Sequence, residues 1–162
     1  MEKHLLIRIA KHRNTPLNYF FLVFILSGTA VAWFLAAGIL WITGAQAALL
    51  HAMLAGFLSF ALGVIVKKLV KRPRPVESIP GFEVLYNKSR MDSFPSNHAG
   101  AAFALFTVLA KQGHPYAPFV GIWFFFVALS RLYSGAHYPT DILGGMVLAQ
   151  IPAWIIMDLF HR

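Results

Sequence analysis

Basic side chains, histidines, a serine and an aspartate recur in three short stretches that interrupt long apolar runs. The stretches are KKLVKRPRP at 67–75, FPSNH at 94–98 and SRLYSGAHYPTD at 130–141. Arginine pairs with phosphate oxygens through two parallel hydrogen bonds, and lysine acts as a point charge. Three cations, a hydroxyl group and the free N–H groups at a helix start therefore suit a phosphoryl group. The candidate side chains are Lys67, Arg74, Ser96, His98, Arg131, His137 and Asp141.

The two imidazoles indicate catalysis as well as binding. One can attack phosphorus and form a phosphohistidine, and the other can protonate the leaving oxygen near neutral pH. Asp141 follows His137 by four residues and can hold one ring nitrogen, which leaves the other aimed at phosphorus. A metal ion held by His98, His137 and Asp141 is the weaker hypothesis, because three cations packed around a metal would be electrostatically costly.

Polar residues in and near these stretches have simpler interpretations when each is taken alone. Ser96 is most often just an N-cap in such a position. Lys68, Lys71 and Arg72 are interpreted as ordinary anchors whose charged ends reach the membrane interface. His51 lies within an apolar run and is interpreted as a packed or hydrogen-bonded histidine. The combination of residues carries the hypothesis, not any single one.

The composition indicates an integral membrane protein. Hydrophobic residues make up 58% of the 162 residues and charged residues only 12%, about half the usual charged share. Several apolar runs reach the roughly 20 residues that cross a hydrocarbon core. The absence of cysteine excludes disulfides and thiol catalysis. The net charge of +8 comes from cations beside the apolar runs, so we expect an anionic lipid partner and no nucleic acid.

The apolar pattern predicts an all-α fold with one domain over residues 1–162, a polytopic transmembrane helical bundle. Residues 1–14 are expected to form a short interfacial amphipathic helix, without a cleavable signal. Five spans follow, at about 17–42, 47–66, 95–111, 116–132 and 139–160. Threading five spans through a membrane puts the three polar stretches on one face.

Together the stretches resemble the signature of the type 2 phosphatidic acid phosphatase superfamily, which includes membrane lipid phosphatases and vanadium haloperoxidases. Residues 67–75 match a lysine, six residues, then Arg-Pro. Residues 95–98 match Pro-Ser-Gly-His, with Asn97 in place of the glycine. Residues 130–141 match Ser-Arg, five residues, His, three residues, Asp.

The resemblance implies a metal-independent phosphatase without a cofactor. It makes His137 the nucleophile, Asp141 its orienting partner and His98 the general acid. The phosphate-binding set that it implies is Lys67, Arg74, Ser96, Asn97 and Arg131. Asparagine tolerates unusual backbone angles second only to glycine, so the N–H at position 97 keeps its role even if a positive φ is needed there.

The same resemblance implies a lipid phosphate substrate taken from the bilayer of the cell membrane. Undecaprenyl diphosphate is the leading hypothesis. The alternatives are phosphatidic acid, phosphatidylglycerol phosphate, another polyprenyl-linked phosphate, transfer to a lipid acceptor, and a non-enzymatic anion or lipid transporter. The positive-inside rule favours a cytoplasmic site, whereas bacterial members of that superfamily more often place it outside. Both orientations stay open, as does the oligomeric state.

Overall fold

The computed structural model describes residues 1–27, 37–38, 41–42, 44–86 and 92–160. This part of the chain contains helices and no strand, so the all-α prediction is confirmed. The helices are α1 (Glu2–Lys11), α2 (Thr15–Ser27), α3 (Gln46–Val70), α4 (Pro75–Ser78), α5 (Asn97–Lys111), α6 (Ala117–Tyr133) and α7 (Pro139–Phe160).

Three helices, α3, α5 and α7, pack against one another and form the centre of the bundle. Helix α6 covers α5, and α2 packs on α6. Small residues let α5 and α7 come close, as is common between membrane helices. A Cβ added at Gly145 would lie 2.5 Å from the carbonyl oxygen of Ser96 and 3.2 Å from the amide nitrogen of Gly100. The beginning of α5 is therefore fixed against the first turns of α7.

Among the described residues, two segments are long and apolar enough to cross a membrane. They are Gln46–Ser78 and Pro139–Phe160, in which an 18-residue window has a mean hydropathy of 2.2 and 1.7, respectively. Helices α2 and α6 are apolar but shorter. The prediction of five spans is thus not confirmed. The first predicted span, 17–42, falls partly outside the described residues.

Large apolar side chains face outward along the bundle. Phe57 is 70% exposed, Phe119 69%, Val147 68% and Trp154 58%. An exposed apolar surface of this extent needs a partner or a hydrocarbon environment. The outer faces of the helices thus agree with a membrane protein.

Candidate active site

The three polar stretches meet at one end of the bundle. The backbone N–H of Ser96 donates to the carbonyl oxygen of Asp141 at 2.8 Å. Arg74 Nη1 donates to the carbonyl oxygen of Ala136 at 3.0 Å. The loop after α3 is thereby bonded to the turn before α7, and the start of α5 is bonded to α7 itself. Helix packing brings together groups that lie far apart along the chain.

His137 and Asp141 form a buried pair at the start of α7. His137 is 2% exposed and Asp141 0%. The Nδ1 atom of His137 lies 3.5 Å from Oδ2 of Asp141, slightly beyond an ordinary hydrogen bond, and Nδ1 has no other partner in the described part of the chain. Catalytic hydrogen bonds often shorten only when substrate binds. The carboxylate is therefore placed to orient the ring through Nδ1, with Nε2 as the other ring nitrogen.

The Asp141 carboxylate accepts more hydrogen bonds than the sequence indicated. Its Oδ2 accepts from the backbone N–H of Tyr138 at 2.8 Å and from Ser93 Oγ. Its Oδ1 accepts from Arg72 Nη1 at 2.6 Å. Ser93 was not singled out from the sequence, and no signal in the sequence marks it. These donors fix the plane of the carboxylate beside His137.

Arg72 is not the simple interfacial anchor that its neighbours in sequence suggested. It joins the carboxylates of Asp141 and Glu2, at 2.6 and 2.8 Å. The chain turns at Lys71, which ends α3 in the left-handed conformation with φ 50°. Arg72 precedes a proline, as does Arg74, and a following proline favours extended backbone. This alternation is the sequence signal that could have indicated that both arginines point to the site.

Lys67 is buried below the segment that leads into α5. Its Nζ donates to the carbonyl oxygens of Asp92 at 2.7 Å, Ser93 at 3.2 Å and Pro95 at 2.6 Å. An ammonium group has three protons, and the three backbone carbonyl oxygens accept all of them. In this arrangement Lys67 holds the loop that carries Ser96, and its role as a direct phosphate ligand stays a prediction.

Arg131 is a cation buried to 1% exposure. Its Nη2 donates to the carbonyl oxygen of Ile25 on α2 at 2.7 Å, while Nε has no partner within the described ranges. Among the described residues no carboxylate lies within ion-pair distance of Arg131. A buried guanidinium without an anion is costly. The site is therefore electrostatically prepared for an anionic ligand.

The start of α5 supplies further donors. Ser96 occupies the N-cap position but makes no side-chain cap, and its fully buried hydroxyl has no partner in the described structure. The first N–H groups of a helix have no intrahelical acceptor. Asn97 begins α5 and is not among the described residues with positive φ, so the missing glycine is not needed for the backbone. Its side chain packs against Gly63 of α3.

Burial lowers the pKa of His137 to about 4, and the nearby Arg74 adds to this, although the adjacent Asp141 carboxylate opposes it. His137 should therefore stay neutral, as a nucleophile must, down to about pH 5. We expect its ring nitrogens to titrate below pH 5 in 15N-histidine spectra of the detergent-solubilised protein, with His137→Gln used for assignment. A midpoint near the ordinary value of about 6.5 would contradict this.

The helical bundle and this group of residues define a membrane phosphatase-type fold. The family model of the PAP2 superfamily matches residues 44–162, and the chain belongs to this superfamily. The match confirms the family that the three sequence stretches indicated.

Individual relatives show how far the similarity extends. The chain is 39% identical over 89 residues to decaprenylphosphoryl-5-phosphoribose phosphatase of Mycolicibacterium smegmatis, covering 55% of this chain and 47% of that protein. It is 28% identical to undecaprenyl-diphosphatase BcrC of Bacillus subtilis, covering 86% and 73%. The crystal structure of Aquifex aeolicus LpxE superimposes with a TM-score of 0.82 at 26% identity, over 96% of this chain and 93% of that one. The chain thus spans about half of the mycobacterial relative but nearly all of LpxE.

Proposed function

We propose that this protein is an integral membrane lipid phosphatase. It hydrolyses a phosphomonoester or diphosphate of a membrane lipid through a phosphohistidine, without a metal ion or other cofactor. The observation that carries the proposal is the buried His137–Asp141 pair at the same end of the bundle as Arg131. The pair supplies a nucleophile and its orienter, and the arginine supplies charge for the phosphate.

In the first step, His137 Nε2 attacks phosphorus while the bond from phosphorus to the leaving oxygen breaks. Asp141 stabilises the positive charge that develops on the ring, as the third group does in hydrolase triads. His98 enters this step as the imidazolium, which the negative charge of the bound phosphate favours, and gives its proton to the leaving oxygen. Negative charge on the phosphoryl oxygens is met by Arg74 and Arg131.

In the second step, His98, now neutral, takes a proton from water as the water oxygen attacks the phosphohistidine. The N–P bond breaks, inorganic phosphate leaves, and His137 is neutral again. Ser96 Oγ and the first N–H groups of α5 stabilise the phosphoryl oxygens in both steps. Preorganised donors of this kind are the usual source of a large rate enhancement.

Undecaprenyl diphosphate is the proposed substrate. Support comes from the similarity to undecaprenyl-diphosphatase BcrC, which extends over most of this chain. The exposed apolar faces of the bundle suit a substrate that arrives from within the bilayer. Decaprenyl-linked phosphates, lipid A phosphates, phosphatidic acid and phosphatidylglycerol phosphate are the competing substrates. The chain would lie in the cell membrane as a multi-pass protein with five spans.

The detergent-solubilised protein should release inorganic phosphate from a lipid phosphate in the presence of EDTA. Vanadate should inhibit it, because vanadate adopts the five-coordinate geometry of the phosphoryl transition state. A panel of the competing lipids, assayed at equal mole fraction in micelles, would rank the substrates by kcat/KM. A protein that binds these lipids without any turnover would contradict the proposal and favour a lipid transporter.

A further inference from the structure

The N-terminal helix α1 reaches the start of α7 through one carboxylate. Glu2 Oε1 accepts from the backbone N–H of Thr140 at 2.9 Å and from its hydroxyl at 2.8 Å. Glu2 Oε2 accepts from Arg72 Nη2 at 2.8 Å. Thr140 lies in the first turn of α7, where N–H groups lack intrahelical acceptors and negative charge is favoured. Glu2 therefore caps α7 from a different helix.

Arg72 connects this cap to the catalytic carboxylate. One of its terminal nitrogens, Nη1, donates to Asp141 Oδ1 and to Thr140 Oγ1, both at 2.6 Å, while the other binds Glu2. The guanidinium also lies 4.2 Å from the ring centre of Tyr138. A planar guanidinium with both terminal nitrogens bound has little freedom to rotate. The position of Asp141 Oδ1 is thus tied to that of Glu2.

The arrangement has an electrostatic consequence for His137. Arg72 is shared between two carboxylates, so Glu2 takes up part of its positive charge. Without Glu2, the whole charge of Arg72 would act on Asp141, and the carboxylate would stabilise the developing imidazolium less well. Holding Oδ1 also keeps Oδ2 turned toward the ring of His137.

We propose that Glu2 is a positioning residue for the phosphatase reaction, which acts through Arg72 on Asp141. The N-terminal helix is then part of the catalytic apparatus and not only a membrane-surface element. This inference rests on the proposed function. Glu2 itself does not touch the substrate, so its effect should be on kcat and not on KM.

The test is a double-mutant cycle with E2Q and R72M. Glutamine keeps the length of the side chain and an oxygen for Thr140 but loses the charge that pairs with Arg72. Since the pair is partly exposed, with side chains 27% and 29% accessible, we expect E2Q to lower kcat by about fivefold with KM nearly unchanged. In the R72M background, E2Q should have no further effect. Glu83→Gln, an exposed carboxylate elsewhere, is the matched control and should keep wild-type kcat.

Rates are expressed per folded protein, measured by far-UV circular dichroism. An unchanged kcat per folded E2Q protein would overturn the inference, and so would equal losses from E2Q with and without Arg72. A wild-type protein that releases no phosphate from any lipid would instead overturn the proposed function. The two failures are therefore distinguishable.

Discussion

Replacing His137 by glutamine is expected to lower kcat by roughly 10³-fold or more, because a glutamine amide cannot attack phosphorus. Glutamine approximates the size of the imidazole, so the buried pocket beside Asp141 should remain filled. The protein should keep its fold and its affinity for the lipid, since the cations and helix N–H groups that bind phosphate are untouched. The loss should therefore be in kcat.

The measurement is phosphate release by the purified variant, together with trapping of the phosphoenzyme. Wild-type protein mixed with a 32P-labelled lipid phosphate and quenched in alkali should carry acid-labile label, and His137→Gln should carry none. His4→Gln, an exposed histidine on α1, is the matched control and should retain both turnover and label. Label that persists in His137→Gln would assign the nucleophile to another residue.

Replacing Arg131 by lysine is expected to lower kcat/KM by about 10²–10³-fold, the usual loss when one preorganised donor to a transition-state oxygen is removed. The charge is kept, but lysine lacks the planar fork with which arginine binds two phosphate oxygens through parallel hydrogen bonds. Arg131 Nη2 donates to the carbonyl oxygen of Ile25 at 2.7 Å. The single nitrogen of lysine cannot reproduce this contact and a two-point contact with phosphate at the same time. Vanadate should inhibit the variant correspondingly less.

We would measure kcat/KM and the vanadate inhibition constant for Arg131→Lys and compare both with the values for Arg8→Lys. Arg8 lies on α1 and is exposed, so the same change there should leave both quantities near wild type. Equal values for wild type and Arg131→Lys would show that Arg131 binds α2 only and does not contact phosphate. Thermal unfolding of both variants in detergent separates a folding defect from a catalytic one.

The candidate groups of the site could be predicted from the sequence because their proposed chemistry depends on residue type and short spacing. His137 lies in the turn before α7 and Asp141 in the first turn of α7, so a spacing of four residues keeps them near each other. Ser96 beside a helix start is equally local. The family follows from the same stretches, and the match over residues 44–162 confirms it.

The helices were also predictable where apolar runs are bounded by polar or helix-breaking residues. The prediction of 139–160 coincides with α7, and 95–111 differs from α5 by two residues at its start. The number of spans was less well determined, because length and hydropathy qualify two segments in the part of the chain that the structure describes. A short helix such as α6 is apolar enough, but composition alone does not say whether it crosses a membrane.

The hydrogen bonds and ion pairs that hold the candidate site residues could be seen only in the tertiary structure. It showed that the protons of Lys67 go to three backbone carbonyls, that Arg131 reaches α2, and that Arg72 joins Asp141 to Glu2. These contacts link residues up to 106 positions apart. They depend on how helices pack and where loops turn, which no local pattern encodes. Residue types and short spacings therefore predicted the candidate groups, and helix packing set the partners that hold them.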